Sequence, residues 1–180
     1  MTERIIVFAA SSSSRSINRQ LAAYAVGLID TVEVELLDLN DFELPLFSVD
    51  REDELGQPEL AQIFLDKITS SSGIIISFAE HNGCYSAAYK NLYDWVSRIQ
   101  PKVYQDKPMV LLSTSPGGRG GRSVLELATA QIPRFGGEVI ASISVPSFND
   151  NFDIDQGVVS NADIAAQIEQ AIHRLVTGER

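Results

Sequence analysis

Gly73-Ile74-Ile75-Ile76-Ser77-Phe78-Ala79, followed by Glu80-His81-Asn82-Gly83-Cys84-Tyr85-Ser86-Ala87-Ala88-Tyr89-Lys90-Asn91, decides how this chain folds. The opening run is apolar and rich in β-branched residues, the pattern of a strand buried on both faces. A polar turn with Asn82-Gly83 follows. Leu92, Trp95, Val96 and Ile99 then recur at helical spacing. A strand, a short turn and a helix put flexible backbone at the carboxyl edge of a parallel sheet, where open α/β folds bind ligands.

The same alternation extends in both directions. Arg4–Ala10 reads as a buried strand and Ser11–Ser16 as a turn. Ile17, Leu21, Ala25, Leu28 and Ile29 mark a helix, and Val32–Leu39 a second strand. Residues 40–57 read as a long acidic loop holding Pro45, and Pro58 opens a helix to about Thr69, where proline suits a first turn. Beyond the opening passage, Pro108–Thr114 is a strand and Ser123–Phe135 a helix, with Pro133 in its last turn. Glu138–Val145 is the fifth strand and residues 146–159 a loop. Ser160-Asn161-Ala162-Asp163 resembles a capping box ahead of the apolar stripe Ile164, Ile168, Ala171, Ile172 and Leu175. Five strands alternating with helices predict an α/β three-layer sandwich, a five-stranded parallel sheet covered on both faces. Right-handed crossovers favour the flavodoxin-like order 2-1-3-4-5.

A length of 180 residues predicts one domain, residues 1–180. With 44% hydrophobic and 21% charged residues the chain falls in the globular class. A net charge of −10 argues against nucleic acid as a partner, because phosphate neutralisation needs clustered Lys and Arg. One cysteine excludes an internal disulfide framework and a multi-cysteine metal centre, and fits a reducing compartment. No run approaches the ~18 apolar residues of a membrane span, and Met1-Thr2-Glu3-Arg4 shows no signal-peptide pattern. The expectation is a soluble, cytoplasmic protein.

Three loops fall on the carboxyl edge, and each has two readings. Ala10-Ser11-Ser12-Ser13-Ser14-Arg15-Ser16-Ile17-Asn18-Arg19 offers backbone N–H groups, hydroxyls and a helix N-terminus, which suits a phosphate monoester. It is equally a Ser-rich turn with Ser16 as N-cap. It spells neither a Walker A loop nor G-x-G-x-x-G. Asn82-Gly83 tolerates left-handed backbone and lets a flat ligand approach, or is an ordinary turn. His81 touches a ligand or caps this loop, without metal-ligand spacing. Cys84 has no recognisable histidine partner and reads as a small buried residue rather than a nucleophile. Ser115–Gly121 holds four glycines in seven residues and is either a wrap for a ring or sugar, or a flexible surface loop. Tyr85, Tyr89 and Tyr93 form a stripe that suits packing or a subunit interface, with Trp95 adding aromatic surface.

Taken together, the loops resemble the NAD(P)H-dependent FMN reductase family, flavodoxin-fold enzymes that include quinone, azo-dye and chromate reductases. Ser11, Ser16, Asn18 and Arg19 match the family's first loop. Glu80, Asn82, Gly83, Lys90, Asn91, Asp94 and Trp95 match the motif after the third strand. Ser115, Gly117, Gly118 and Gly121 match the loop after the fourth, and Leu44-Pro45-Leu46-Phe47 looks like the segment after the second.

The resemblance implies FMN, with its phosphate on Ser11, Ser13, Ser16, Ile17 and Asn18. Its ring would lie against the backbone of Glu80, His81, Asn82, Gly83 and Cys84 and across Ser115, Pro116, Gly117 and Gly118. It implies hydride transfer from NAD(P)H to a small-molecule acceptor such as a quinone, an azo compound or free flavin. No side-chain acid or base is required, so no catalytic residue and no metal is expected, and the assembly is a homodimer or homotetramer. Three departures stand out: Ser13 replaces a phosphate-facing arginine, leaving Arg15 or Arg19 to compensate, His81 replaces an aromatic, and Cys84 replaces a hydroxyl residue. An electron-carrying flavodoxin, which the acidity fits, and a flavin-free scaffold are the alternatives. NAD(P)H oxidation and the colour of the protein separate them.

Overall fold

The computed structural model describes residues 4–179. Five strands, β1 (Arg4–Ala10), β2 (Glu33–Leu37), β3 (Gly73–Phe78), β4 (Lys107–Thr114) and β5 (Gly137–Val145), form one sheet. Every pairing is parallel and the order is β2-β1-β3-β4-β5, as the sequence pattern predicts. Helices α1 (Ile17–Gly27) and α7 (Ala162–Thr177) cover one face. On the other lie α3 (Glu59–Ser70), α4 (Ala87–Ile99) and α5 (Arg122–Gln131).

The two-residue period of the strands sorts side chains between these faces. Ile6, Phe8, Ile74, Ile76, Met109 and Leu111 pack with Phe64, Leu65, Trp95 and Val124. Ile5, Val7, Ile75, Val110 and Leu112 pack with Leu21, Ala25, Ile168 and Ile172. By the same parity Ser77 points toward α1, although it is a polar residue at zero exposure.

The segments read as loops contain more structure. After β2 a 3₁₀ turn (Leu39–Phe42) precedes helix α2 (Val49–Leu55). This helix buries none of its residues, so it leaves no hydrophobic period to read. Its support is polar: Ser48 caps it by accepting from Arg51 N–H, and Asp50 and Glu52 lie in the first turn. After β5 come α6 (Phe148–Asn151) and the hairpin β6 (Phe152–Asp153) and β7 (Val158–Val159). Phe148 and Phe152 stack with ring centroids 4.6 Å apart and close the α1–α7 core from below.

Several element boundaries differ for local reasons. Pro58 is the residue before α3 rather than its first. The helix after β4 ends at Gln131 and tightens to a 3₁₀ turn (Ile132–Phe135), because Pro133 has no N–H to continue it. Asn161, not Ser160, caps α7, accepting from Ile164 N–H at 3.2 Å while its own amide donates to Asn151.

The tyrosine stripe is internal. Tyr89 and Trp95 are buried, so the aromatic surface expected for an interface is largely taken up inside the protomer. Tyr85, Tyr89, Tyr93 and Tyr104 pack in sequence with ring centroids 5.1, 6.1 and 6.2 Å apart, and the Tyr89 and Tyr104 hydroxyls share a hydrogen bond. Burial raises the pKa of all four phenols, Tyr85 to about 12. The unfolded chain therefore loses these protons first, at its ordinary value near 10. Stability is fully present below that pH and falls as pH rises through the folded values. Urea midpoints measured from pH 9 to 12 are expected to decline, less steeply in Tyr85→Phe than in the wild type. Identical slopes would show that Tyr85 does not contribute.

Candidate functional site

Loops following β1, β3 and β4 meet at the carboxyl edge, with the β3 loop in the middle because β3 lies between β1 and β4. In the first loop Ser11 and Ser16 are buried and residues 12–15 exposed. The hydroxyls organise the turn. Ser11 Oγ accepts from Ser13 N–H at 3.2 Å, Ser13 Oγ from Arg15 N–H at 3.3 Å, and Ser16 Oγ caps α1 through Arg19 N–H. The N–H groups of Ser12, Ser14, Ile17 and Asn18 donate to no acceptor among the described residues. Four free donors at the start of an 11-residue helix can receive an anion.

Asn18 occupies a different place from its neighbours. Its carboxamide is buried and turned inward, donating to Thr114 C=O at 3.1 Å and accepting from Thr114 N–H and Ser77 Oγ. Three of its four hydrogen-bonding positions are used inside the protein. The side chain thus braces the strand ends, and what it presents outward is its backbone N–H. Arg19 is likewise committed, to Asp38 at 2.6 Å. The Asp38 carboxyl is held below its ordinary range, first by the Asn40 N–H and then by Asn40 and Arg19 side chains, against a smaller effect of burial. Arg15 makes no ion pair among the described residues and is the loop's one uncommitted cation.

The middle loop is a tight reversal. His81 and Cys84 exchange backbone hydrogen bonds at 3.0 Å, with Asn82 at φ +52° and Gly83 at φ +75°. Two successive positive φ angles explain the Asn-Gly pair. All four residues are exposed. Cys84 is therefore a surface thiol rather than the small buried residue expected, because the reversal points residues 81–84 away from the core. Glu80 turns toward the third loop, and its carboxylate accepts from Val124 N–H at 3.0 Å, capping α5 from outside the helix.

The Gly-rich loop is fastened, not loose. Gly117 C=O accepts from Gly120 and Ser147 N–H groups, and Ser115 C=O from Phe148 N–H. Gly120 C=O receives both Ser113 Oγ and Ser144 Oγ. Gly120 has φ +58°, and a β-carbon there would lie 2.2 Å from Ser144 Oγ and 2.8 Å from the Pro146 backbone. The fold itself requires this glycine. Gly117 and Gly118 are different: their φ angles are not positive, and added β-carbons would meet nothing nearer than Ser147 Oγ at 4.0 Å. Nothing within the chain needs them to be glycine, so the space they keep open faces outward.

A fourth wall was visible in the sequence only as matching letters. Asn91 accepts from Phe47 N–H at 2.8 Å and donates to the carbonyls of Leu44 and Pro45, while Trp95 Nε1 donates to Pro45 C=O. These bonds hold residues 44–47 against α4 and leave a cleft of about 370 Å³ beside Ser12, Phe42, Leu44, Leu46, Ala88 and Asn91. Ser86, which caps α4 and donates to Ala10 C=O at 2.7 Å, ties the same helix to the end of β1. Its cap pattern was the only sequence signal for it. Among the described residues no group of three His, Cys, Asp or Glu side chains could hold a metal ion.

The model of the family described as NADPH-dependent FMN reductase matches residues 3–150. An NADPH:quinone oxidoreductase of Arabidopsis thaliana is 32% identical over 128 residues, covering 69% of this chain and 64% of that protein. The match thus spans a little under two thirds of that relative. A quinone reductase of Escherichia coli K12 is 28% identical over 129 residues, covering 66% of this chain and 68% of its own. Among solved structures, a flavoenzyme NAD(P)H:acceptor oxidoreductase of Paracoccus denitrificans superposes with a TM-score of 0.77 at 22% identity, covering 97% and 96% of the two chains. That likeness shows the shared fold.

The two kinds of glycine make a direct test. Gly120→Ala should cost about 2 kcal/mol or more, through overpacking and the strain of positive φ. Gly117→Ala should stay within about 0.5 kcal/mol of the wild type. Chemical denaturation of both ligand-free variants checks this, and equal losses would contradict the assignment.

Proposed function

Because the chain belongs to the NADPH-dependent FMN reductase family, we propose that it is an FMN-dependent NAD(P)H oxidoreductase reducing small acceptors such as quinones, azo compounds or free flavin. The observation that carries this reading is the pair Gly117 and Gly118, whose missing β-carbons serve no packing need in the chain. They stand beside the exposed Asn82-Gly83 reversal and opposite the free N–H groups of the first loop. Together these suit a flat ring with a phosphate tail. FMN, when bound, supplies the redox chemistry, taking hydride from NAD(P)H and passing it to the acceptor.

The chain's own residues bind and orient. In this reading the backbone N–H groups of Ser12, Ser14, Ile17 and Asn18 and the Ser11, Ser13 and Ser16 hydroxyls receive the phosphate. Arg15 supplies the positive charge that Ser13 does not. Glu80, His81, Asn82, Gly83 and Cys84 form one wall of the ring site, and Ser115, Pro116, Gly117 and Gly118 the other. Backbone donors on these walls stabilise charge on the reduced ring without an acid or base from a side chain. The single cysteine fits a cytoplasmic setting. No helix among the described residues is long and apolar enough to cross a membrane.

Purified protein should be yellow or take up FMN one to one, and should oxidise NAD(P)H in the presence of a benzoquinone. Arg15→Gln should weaken FMN binding about tenfold, the effect of losing one charge-assisted contact, while leaving the urea midpoint unchanged. A flavin-loaded protein without turnover would be an electron carrier, and failure to bind FMN at all would leave the scaffold reading.

The assembly proposed is a homodimer that pairs into a tetramer. Its support is the segment after β2, where Leu46, Val49 and Leu55 are 73%, 64% and 56% exposed beside the site. Light scattering should give a multiple of the 19.7 kDa chain, and a monomer at working concentration would remove this proposal.

A further inference from the structure

In a chain with 24 acidic and 14 basic residues, most cations are committed. Arg4, Arg19, Lys67, Lys90 and Arg98 pair with carboxylates. Lys102, Lys107 and Arg174 donate to backbone carbonyls. Among the described residues, the side chains with neither kind of partner are Arg15, Arg51, Arg119, Arg122 and Arg134. Three of these five belong to the loops of the candidate site or the helix they open, and two of the three, Arg119 and Arg122, sit together.

Their position separates them from the phosphate loop. Arg119 Nη2 donates to Ser123 Oγ at 3.2 Å, and Ser123 Cβ lies 4.0 Å from where a β-carbon on Gly83 would be. Arg119 is therefore anchored at the seam between the Gly-rich loop and the Asn82-Gly83 reversal. The first loop lies on the other side of that reversal, because β3 separates β1 from β4. Arg122 N–H donates to Arg119 C=O at 2.9 Å, which fixes the two residues one turn apart. Arg122 also forms one wall of a cleft of about 540 Å³ between α5, β5 and α7, which includes the hydroxyl residues Thr129, Ser142 and Ser144. A flavin phosphate held by the first loop does not account for two uncommitted guanidinium groups at this end. A second anionic ligand does.

We propose that Arg119 and Arg122 receive the 2′-phosphate of NADPH, with the adenosine end of the donor in the cleft beside α5, so that this chain selects NADPH over NADH. The inference rests on the reductase reading and names how that site chooses its donor. The 2′-phosphate is a terminal dianion, which suits two exposed planar guanidinium forks better than the singly charged, internal phosphates of the pyrophosphate do. The overall acidity repels the more highly charged NADPH, and a local pair of cations offsets that repulsion where the donor docks.

The test compares Arg119→Gln, Arg122→Gln and the double variant with the wild type in two readouts. The first is calorimetric titration with adenosine 2′,5′-bisphosphate and with 5′-AMP, which needs no turnover. The wild type should bind the bisphosphate more tightly than AMP, and the double variant should lose about tenfold or more of that difference. The second is the ratio of kcat/KM for NADPH to that for NADH, which should fall by a similar factor. Equal losses for both donors would assign the arginines to the pyrophosphate and overturn the proposal. So would a bisphosphate affinity that no variant changes. A wild-type protein that binds the bisphosphate through these arginines but oxidises neither donor would overturn the reductase reading instead, and leave the nucleotide site standing.

Discussion

The carboxamide of Asn18 is the contact on which the carboxyl edge of this sheet depends. It sits in the first turn of α1 and bonds Ser77 on β3 and both backbone groups of Thr114 on β4. Strand ends are where a parallel sheet stops satisfying its own backbone, and a buried group left unpaired there costs about 1–3 kcal/mol. One side chain meets that need for β4 and sets the height of α1 above β3 and β4. The free N–H groups of the first loop owe their position to it. A phosphate-binding loop and the brace that positions it are thus built from adjacent residues, Ile17 and Asn18, with different tasks.

The remaining loops follow the same division between holding and presenting. In the Gly-rich loop, Gly120 is pinned by Ser113 and Ser144 and leaves no room for a side chain, while Gly117 and Gly118 face open space. In the middle loop, Glu80 caps α5 while residues 81–84 project outward. After β2, Asn91 and Trp95 hold the backbone of residues 44–47, and Leu46 is left exposed. Each loop spends its polar side chains on neighbouring backbone. What remains for a ligand is mainly N–H groups and space. This suits an enzyme whose redox chemistry resides in a bound flavin, since rigid backbone donors need no reorganisation as charge develops.

Charge is arranged on a coarser scale. The chain is strongly acidic overall, and its ion pairs occupy the amino end of the sheet, α2 and α4. Exposed pairs of this kind add little stability. Their effect is to leave Arg15, Arg119 and Arg122 as the uncommitted cations around the carboxyl edge, in two groups on opposite sides of the middle loop.

The strand order and the three loops were legible in the sequence because burial on both faces forces long β-branched runs, and Asn-Gly and Gly-rich turns punctuate them. The sequence likewise determined the family, through motifs spread over much of the chain. Other features were not legible. Helix α2 has no buried face and hence no period. The α6–β6–β7 cover depends on Phe148 and Phe152 meeting across the chain's own turn. Asn18 matched a ligand-binding motif, yet only the parity that turns Ser77 and Thr114 toward α1 shows its side chain facing inward. Cys84 looked like core filling until the reversal at Asn82-Gly83 placed it outside. Local pattern records which backbone a segment prefers. Which partner a polar side chain reaches is decided by strand order and register, which bring together residues as distant as 18, 77 and 114.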